Sequence, residues 1–261
     1  MMSRLSKAEL ALLAAVACMS LFALLGPAVA LPAGYHHFAD ARALGGIPFA
    51  GDVLSNLPFA VMGVAGLLSL ARAGSGARVT ERALAGLFFA GLVFTAFASS
   101  WYHLQPDDES LAVDRIGMSV AFAGLLGLAA ANRVSERAGA LLAFVVLWAA
   151  PAAALHASSS GDAGPWAVIQ FGGMLLVVAF HGANARHSAL PIRWAWVIAA
   201  YALGKMFEVA DHEVFVLTGG AVSGHTIKHM LAALAAFPVL SALGPVCKPR
   251  QNVTRIMETN S

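Results

Sequence analysis

Three histidines lie at the ends of apolar stretches, where their spacing could bind one metal ion. His225 and His229 are four residues apart in SGHTIKHM, so on a helix both imidazoles project from the same face. His103 ends an earlier apolar stretch in SSWYHL, one helical turn after Ser99. Three neutral imidazoles are a ligand set of catalytic zinc, which keeps a fourth position open for water or substrate. The three histidines therefore predict one metal site, with Zn²⁺ as the candidate ion.

Asp114 and Ser99 are the side chains that could assist hydrolysis at such a site. Zinc lowers the pKa of a bound water to about 7 and polarises a substrate carbonyl, and a nearby carboxylate must take and return the proton. Asp114 begins the apolar stretch that follows His103, at the same membrane depth, and is the candidate for this role. Ser99 shares the face of His103 and could hold the carbonyl oxygen.

Each of these residues also has a purely structural interpretation. Histidines inside a membrane protein can be buried side chains that are hydrogen-bonded to the backbone or to neighbours. A serine in a membrane helix often bonds the carbonyl one turn earlier, as Ser99 would. A carboxylate near the start of a helix, such as Asp114, is favoured as a cap. Ser223 is likewise a candidate N-cap for the helix that carries the last two histidines.

The composition indicates an integral membrane protein. Of the 261 residues, 59% are hydrophobic and only 11% are charged, whereas about a quarter are charged in soluble globular domains. The net charge of +2 and the lack of a long polybasic run argue against nucleic acid as a partner. Cys18 and Cys247 have no metal-like spacing, so they predict neither a disulfide framework nor a thiolate site.

Apolar stretches of spanning length predict an all-α membrane protein. Each is close to the roughly 20 residues that a bilayer core requires, and none alternates as a barrel strand does. The eight predicted spans cover residues 9–31, 53–72, 83–104, 113–131, 138–155, 166–183, 193–210 and 221–243. The last seven would form a seven-transmembrane-helix core bundle, and the first would be an extra N-terminal hydrophobic helix.

Four regions follow from these spans. They are an N-terminal helix at 1–32, an outer loop at 33–52, a seven-helix domain at 53–243 and a cytoplasmic tail at 244–261. The basic start and the AVA of the first region also resemble a signal peptide, but its apolar run is longer than a usual signal core, which favours a retained helix.

The positions of Lys and Arg predict the orientation, because cytoplasmic loops are enriched in these residues. Twelve of the sixteen basic residues fall on one side of the predicted spans, and only Arg42 and Arg115 fall on the other. Both termini are therefore expected in the cytoplasm, with the zinc site towards the outer face of the membrane. With no organelle signal, we expect this membrane to be a bacterial inner membrane.

Charged residues also occur near the outer end of the seventh predicted span. Glu208, Asp211 and His212 are interpreted as a solvated helix end, and contact with the metal site is the alternative. Lys205 and Lys228 lie within apolar stretches, where they either snorkel to the interface or pair with these acids.

The site residues resemble the motifs of a known family. The pattern S-x-x-x-H at Ser99 to His103, Asp114 eleven residues later, and H-x-x-x-H at His225 and His229 are similar to those of the alkaline ceramidases. These belong to a wider superfamily of seven-helix proteins that includes adiponectin and progestin receptors. DVLSN at 52–56 also looks like the start of the first core helix of the ceramidases.

The resemblance implies a function and its residues. It implies that the three histidines bind Zn²⁺, that Asp114 and Ser99 lie close to the zinc-bound water, and that ceramide is cleaved to sphingosine and a fatty acid. The acidic, Trp-containing calcium motif of the eukaryotic ceramidases has no clear counterpart in FADARALGGIPFAGD. Asp40, Asp52 and Asn56 are the residues left there, so the resemblance does not extend to Ca²⁺ or to the exact substrate.

Three functions from different classes are compatible with these features. The first is a zinc-dependent intramembrane hydrolase of a lipid amide, whose partners are the lipid substrate and the bilayer itself. The second is a receptor-like or structural seven-helix protein in which zinc ties helices together. A metal or ion transporter is the third, and it is disfavoured because the polar residues cluster at one membrane face.

Overall fold

Helices form the regular secondary structure of the chain in the computed structural model, which describes residues 4–72, 77–183 and 189–244. The α-helices are α1 (Lys7–Leu25), α2 (Ala50–Leu54), α3 (Leu57–Arg72), α4 (Val79–Leu104), α5 (Asp108–Arg133), α6 (Glu136–Ser160), α7 (Gly164–Ala167), α8 (Gly173–His181), α9 (Trp194–Val209), α10 (Asp211–Leu217), α11 (Gly224–Leu234) and α12 (Phe237–Ala242). One π-helical turn, Val168–Gly172, joins α7 to α8. No strand is found in the described residues, so the expected all-α fold is confirmed. The predicted tail from residue 245 onwards, including Cys247, lies outside them.

Six helical stretches in the described part of the chain are long and apolar enough to cross a membrane. They are Lys7–Leu25, Ala50–Arg72, Val79–Leu104, Asp108–Arg133, Glu136–Ser160 and Gly164–His181. These correspond to the first six predicted spans and confirm an integral membrane protein. The seventh predicted span is the 16-residue α9, and the eighth is divided into α11 and α12, so the total of eight stays a prediction.

A proline explains the division of the eighth predicted span. α11 ends at Leu234, and Pro238 occupies the first turn of α12. Proline has no N–H to donate, and its ring clashes with the carbonyl group four residues earlier, which is that of Leu234. The division leaves α11, which carries two of the histidines, as a separate element of 11 residues.

α4 and α5 approach one another closely at a glycine. A Cβ atom on Gly91 of α4 would lie only 2.1 Å from the backbone N of Ala121 in α5. Only a residue without a side chain fits there, which is how small residues bring membrane helices together. This contact fixes the relative position of the two helices that carry His103 and Asp114.

α1 is an additional helix at the periphery of the bundle, and most of its surface is exposed. Its first turn is held to the start of α6, where Glu9 accepts a 2.7 Å hydrogen bond from Ser135 and pairs at 3.0 Å with Arg137. Ser6 caps the helix and forms a reciprocal capping box with Glu9. The N-terminal helix is therefore packed against the bundle by polar contacts at one end.

Residues 33–49, which we call the covering segment, fold back over one end of the bundle. Arg42 donates hydrogen bonds from Nε and Nη2 to the two carboxylate oxygens of Asp40, each at 2.7 Å, and a third of 3.1 Å to the carbonyl of Ala221. The same guanidinium group lowers the pKa of Asp40 below its usual 3.8. The predicted outer loop is thus ordered by ionic contacts, and its last residues begin the short helix α2.

Candidate metal centre

The three predicted histidines converge in the folded chain. His103 lies in the last turn of α4, and His225 and His229 lie one turn apart in α11. All three are buried, and one ring nitrogen from each lies within 4.8 Å of the others. In the part of the chain that the structure describes, this is the one group of three or more His, Cys, Asp or Glu residues close enough to hold a metal ion. The convergence was predicted from sequence, and metal binding stays a prediction.

Both ring nitrogens of His103 are free of hydrogen bonds in the described residues, as expected of an imidazole that binds a metal ion. Its side chain is fully buried. A buried polar group left unpaired costs about 1–3 kcal/mol, so an imidazole in this position calls for a ligand. The hydrogen bonds that the structural interpretation requires are absent for His103 in the described residues, whereas His229 has one to Ser55. Imidazole ligands suit Zn, Cu, Fe and Ni alike, so the donor set alone does not select zinc.

A serine sets the orientation of the His229 ring. The Oγ of Ser55 lies 2.8 Å from His229 Nδ1 and donates its own proton to the carbonyl of Asp52 at 2.9 Å. A hydroxyl has only one proton to donate, so this bond pattern assigns a proton to Nδ1, which donates it to Ser55. The lone pair of His229 is then on Nε2, the nitrogen left free for a metal.

Asp211 and Phe38 connect His225 to the covering segment. Asp211 Oδ1 accepts a 2.7 Å hydrogen bond from the backbone N–H of His225, and Oδ2 accepts one of 2.9 Å from Ala39 N–H. The ring centroid of Phe38 lies 4.6 Å from those of both His103 and His225. Asp211 is buried, so its interpretation as part of a solvated helix end is wrong. The covering segment therefore shields two of the three histidines.

The start of α11 is bonded to α2 by a buried acid. Asp52 is fully buried and accepts hydrogen bonds from Ser223 at 3.2 Å and from Thr226 at 2.8 Å. Ser223 in turn accepts a 3.0 Å bond from the backbone N–H of Thr226, which confirms it as the N-cap of α11. Both carboxylate oxygens of Asp40 have donors from within the chain, whereas Asp52 Oδ2 and Asn56 Oδ1 are buried without a hydrogen-bond partner in the described residues.

Asp114 lies deeper in its helix than the sequence suggested. α5 begins at Asp108, and the cap is Asp107, whose carboxylate accepts a 2.7 Å bond from Ser110 N–H. The interpretation of Asp114 as a helix cap is therefore wrong, because it lies in the second turn. Its Oδ1 is buried without a hydrogen-bond partner in the described residues. The Ser99 hydroxyl lies near this carboxyl group, and both side chains line the same cavity.

This cavity joins the candidate site to the apolar interior. It has a volume of about 150 Å³, and Ser99, Asp114 and His229 form part of its wall. Much of the remaining wall is apolar, with side chains from helices α4, α5, α8 and α9, such as Phe88, Leu92, Leu125, Val177 and Val197. An apolar pocket with a few convergent polar groups is the usual form of a ligand site.

Two lysines share one acid beside the histidines. Lys228 Nζ lies 2.9 Å from Glu208, which also binds Lys205, so of the two alternatives for these lysines the pairing with an acid is the one found. Lys228 Nζ lies 3.4 Å from His225 Nε2 as well. A metal ion at this nitrogen would have to displace the ammonium group towards Glu208.

No protein-family model matches the chain, and no curated protein matches it. The likeness to alkaline ceramidases therefore rests on the residue pattern given above. The sequence pointed to the three histidines, Ser99 and Asp114, but it did not assign roles to Ser55 or Phe38. Ser55 lies in the DVLSN stretch, where small polar residues precede an apolar run. This cluster was the pattern in the sequence that could have pointed to a role for Ser55.

Proposed function

We propose that the chain is a zinc-dependent intramembrane hydrolase of a lipid amide. The observation that carries this proposal is a buried cluster of three histidines beside an apolar cavity, whose wall includes a carboxylate and a hydroxyl group. The pattern resembles the alkaline ceramidases, which implies a ceramide-like substrate, cleaved to sphingosine and a fatty acid. The distribution of basic residues supports cytoplasmic termini and a site towards the outer face of a bacterial inner membrane.

The histidines would hold the metal, and other residues would support them. His103, His225 and His229 provide three nitrogens, and Ser55 keeps the His229 ring in the tautomer that can bind. Zinc held by these residues would supply a water whose pKa is lowered to about 7 and would polarise a substrate carbonyl. Phe38 shields the site on the side of the covering segment, which favours a dry environment for these groups.

Asp114 is suited to move the proton in amide hydrolysis. The water oxygen forms a bond to the carbonyl carbon, and the C–N bond then breaks. Asp114 would take the proton from the water and return it to the leaving nitrogen, so that fatty acid and amine are released. Ser99 would donate a hydrogen bond to the carbonyl oxygen as negative charge develops on it. The apolar wall of the cavity would hold the acyl chain next to these groups.

The alternative is a receptor-like or structural seven-helix protein with a structural zinc. The shielding of His103 and His225 by Phe38 is the observation that favours it, because structural metal sites are closed to substrate. In that case the metal would stabilise the contact between α4 and α11, and no lipid would be cleaved.

Hydrolysis by protein purified in detergent tests the proposal. A panel of ceramides and neutral N-acylethanolamines would be incubated with the wild type, while fatty-acid release and bound zinc are measured. We expect His229→Ala to lose zinc and release, and Asp114→Asn to keep zinc but react about 10²–10⁴-fold more slowly. His212→Ala, in an exposed histidine outside the cluster, is the matched control and should behave as wild type. Bound zinc without hydrolysis of any lipid amide would contradict the proposal and favour the structural alternative.

A further inference from the structure

Arg115 is a buried cation whose guanidinium group has no ion pair and donates no hydrogen bond within the part of the chain that the structure describes. It is only 4% exposed, and its guanidinium carbon lies 5.3 Å from the ring centroid of Trp166. A guanidinium group has five N–H donors, and burying a charge without a partner is costly. Its donors are therefore available to an acceptor from outside the chain.

The acceptor can reach Arg115 through the cavity described above. Arg115 of α5 lines this cavity together with Lys205 of α9 and Lys228 of α11. The carboxylates on the same wall are those of Asp114 and Glu208, and Glu208 is already shared by the two lysines. Three cations thus face two carboxylates in a largely apolar space, where electrostatic attraction is strong. The excess positive charge favours an anionic ligand.

The position of the positive charge indicates which part of the ligand is anionic. Arg115 follows Asp114 in the chain, and Lys228 Nζ lies 3.4 Å from His225 Nε2, so an anion bound by these cations lies beside the proposed reactive groups. The rest of the wall is apolar and suits an acyl chain. An arginine pairs with a planar carboxylate through two parallel hydrogen bonds, which a neutral hydroxyl group cannot accept in the same way.

We propose that the substrate is an acidic lipid amide, in which a carboxylate on the amine side is bound by Arg115 with Lys205 and Lys228. An N-acyl amino acid is the simplest compound of this class. The inference depends on the proposed hydrolase function for its reaction, but the anion site itself does not. Ceramide, whose amine part is a neutral alcohol, is then a poorer substrate than an acidic lipid of the same chain length.

The test compares two substrates that differ in one group. N-oleoylglycine and N-oleoylethanolamine have the same acyl chain and amide, but one has a carboxylate where the other has a hydroxymethyl group. We expect the wild type to show a kcat/KM at least about tenfold higher for N-oleoylglycine, since a hydrogen-bonded ion pair contributes this much or more. Arg115→Gln should reduce the ratio of the two values by roughly tenfold to a hundredfold, and Arg115→Lys should keep part of it. A wild type that prefers the neutral substrate, or an Arg115→Gln variant with an unchanged ratio, would overturn the inference.

Two further measurements keep this inference separate from the hydrolase proposal. Arg78→Gln, in an exposed arginine paired with Glu136, is the matched control and should have the wild-type ratio. If neither lipid is cleaved, binding of radiolabelled N-oleoylglycine is measured with each unlabelled lipid as competitor. The His229→Ala background prevents the carboxylate from binding to a complete metal site. If N-oleoylglycine competes better than N-oleoylethanolamine, and this preference is lost in Arg115→Gln, the anion site is supported although the hydrolase proposal fails. If the two lipids compete equally well, the anion site is overturned.

Discussion

Replacing Ser55 by alanine is expected to weaken zinc binding by roughly tenfold to a hundredfold. Ser55 is buried, and its hydroxyl oxygen accepts the proton of His229 Nδ1 at 2.8 Å. Without it, this N–H loses its side-chain acceptor and is left with the backbone of Asp52, and loss of a buried hydrogen bond costs about 1–3 kcal/mol. The ring also loses the bond that selects its tautomer, and loss of such a bond typically lowers metal affinity by about 10–100-fold.

The assay is a zinc titration of detergent-purified protein in competition with a chelating indicator. Ser100→Ala is the matched control, because Ser100 of α4 also contacts α2 but donates a 3.3 Å bond to the carbonyl of Val53 rather than contacting an imidazole. We expect its zinc affinity to equal that of the wild type. If Ser55→Ala binds zinc as tightly as the wild type, the assignment of the His229 tautomer is refuted. It is also refuted if Ser100→Ala loses as much zinc affinity as Ser55→Ala does.

Three other predictions concern the helix contact, the shielding of the site and the response to acid. Gly91→Ala should lower the free energy of unfolding by about 1–3 kcal/mol, whereas Gly86→Ala, whose Cβ would have no neighbour nearer than 3.8 Å, should not; thermal unfolding in detergent measures both. Phe38→Ala should speed the loss of zinc to excess chelator, because it uncovers two histidines, and an unchanged rate would contradict the shielding. Asp40→Asn should lower the unfolding temperature at neutral pH. Because Arg42 lowers the pKa of Asp40 in the folded state, its stabilisation is present above about 3.8 and is lost as the pH falls further, so the two unfolding temperatures should converge in acid.

The class of fold was predictable because hydrophobicity and length determine it locally. The first six predicted spans correspond to helices that are long and apolar enough to cross a membrane. The division of the eighth predicted span before Pro238 is also a local effect, because proline has no N–H group to donate. Counting apolar residues does not detect this effect. The start of α5 was predicted too late, because its first turn, Asp108 to Leu111, is largely acidic and polar and does not look like part of an apolar span. This turn is helical because Asp107 caps it.

The candidate site was predictable only as far as spacing and depth could determine it. The i, i+4 spacing placed His225 and His229 on one face, and membrane depth brought His103 to the same level. Ser55 contacts His229 across 174 positions of the chain, and no periodicity predicts such a contact. Arg115 was recognised as one of the few basic residues on its side, but its burial depends on how α5 packs against Trp166. Contacts between distant segments follow from packing, which the sequence pattern does not give.

The three histidines come from early and late parts of the chain, and this has a consequence for biosynthesis. His103 lies in α4, whereas His225 and His229 lie in α11, near the end of the described residues. At about 5–20 residues per second, the ribosome makes these two parts roughly ten seconds apart. During this interval α4 is already available for insertion with a histidine that has no partners. The proposed metal site therefore forms only after α11 has been synthesised, and metal loading belongs to the last stage of assembly in the membrane.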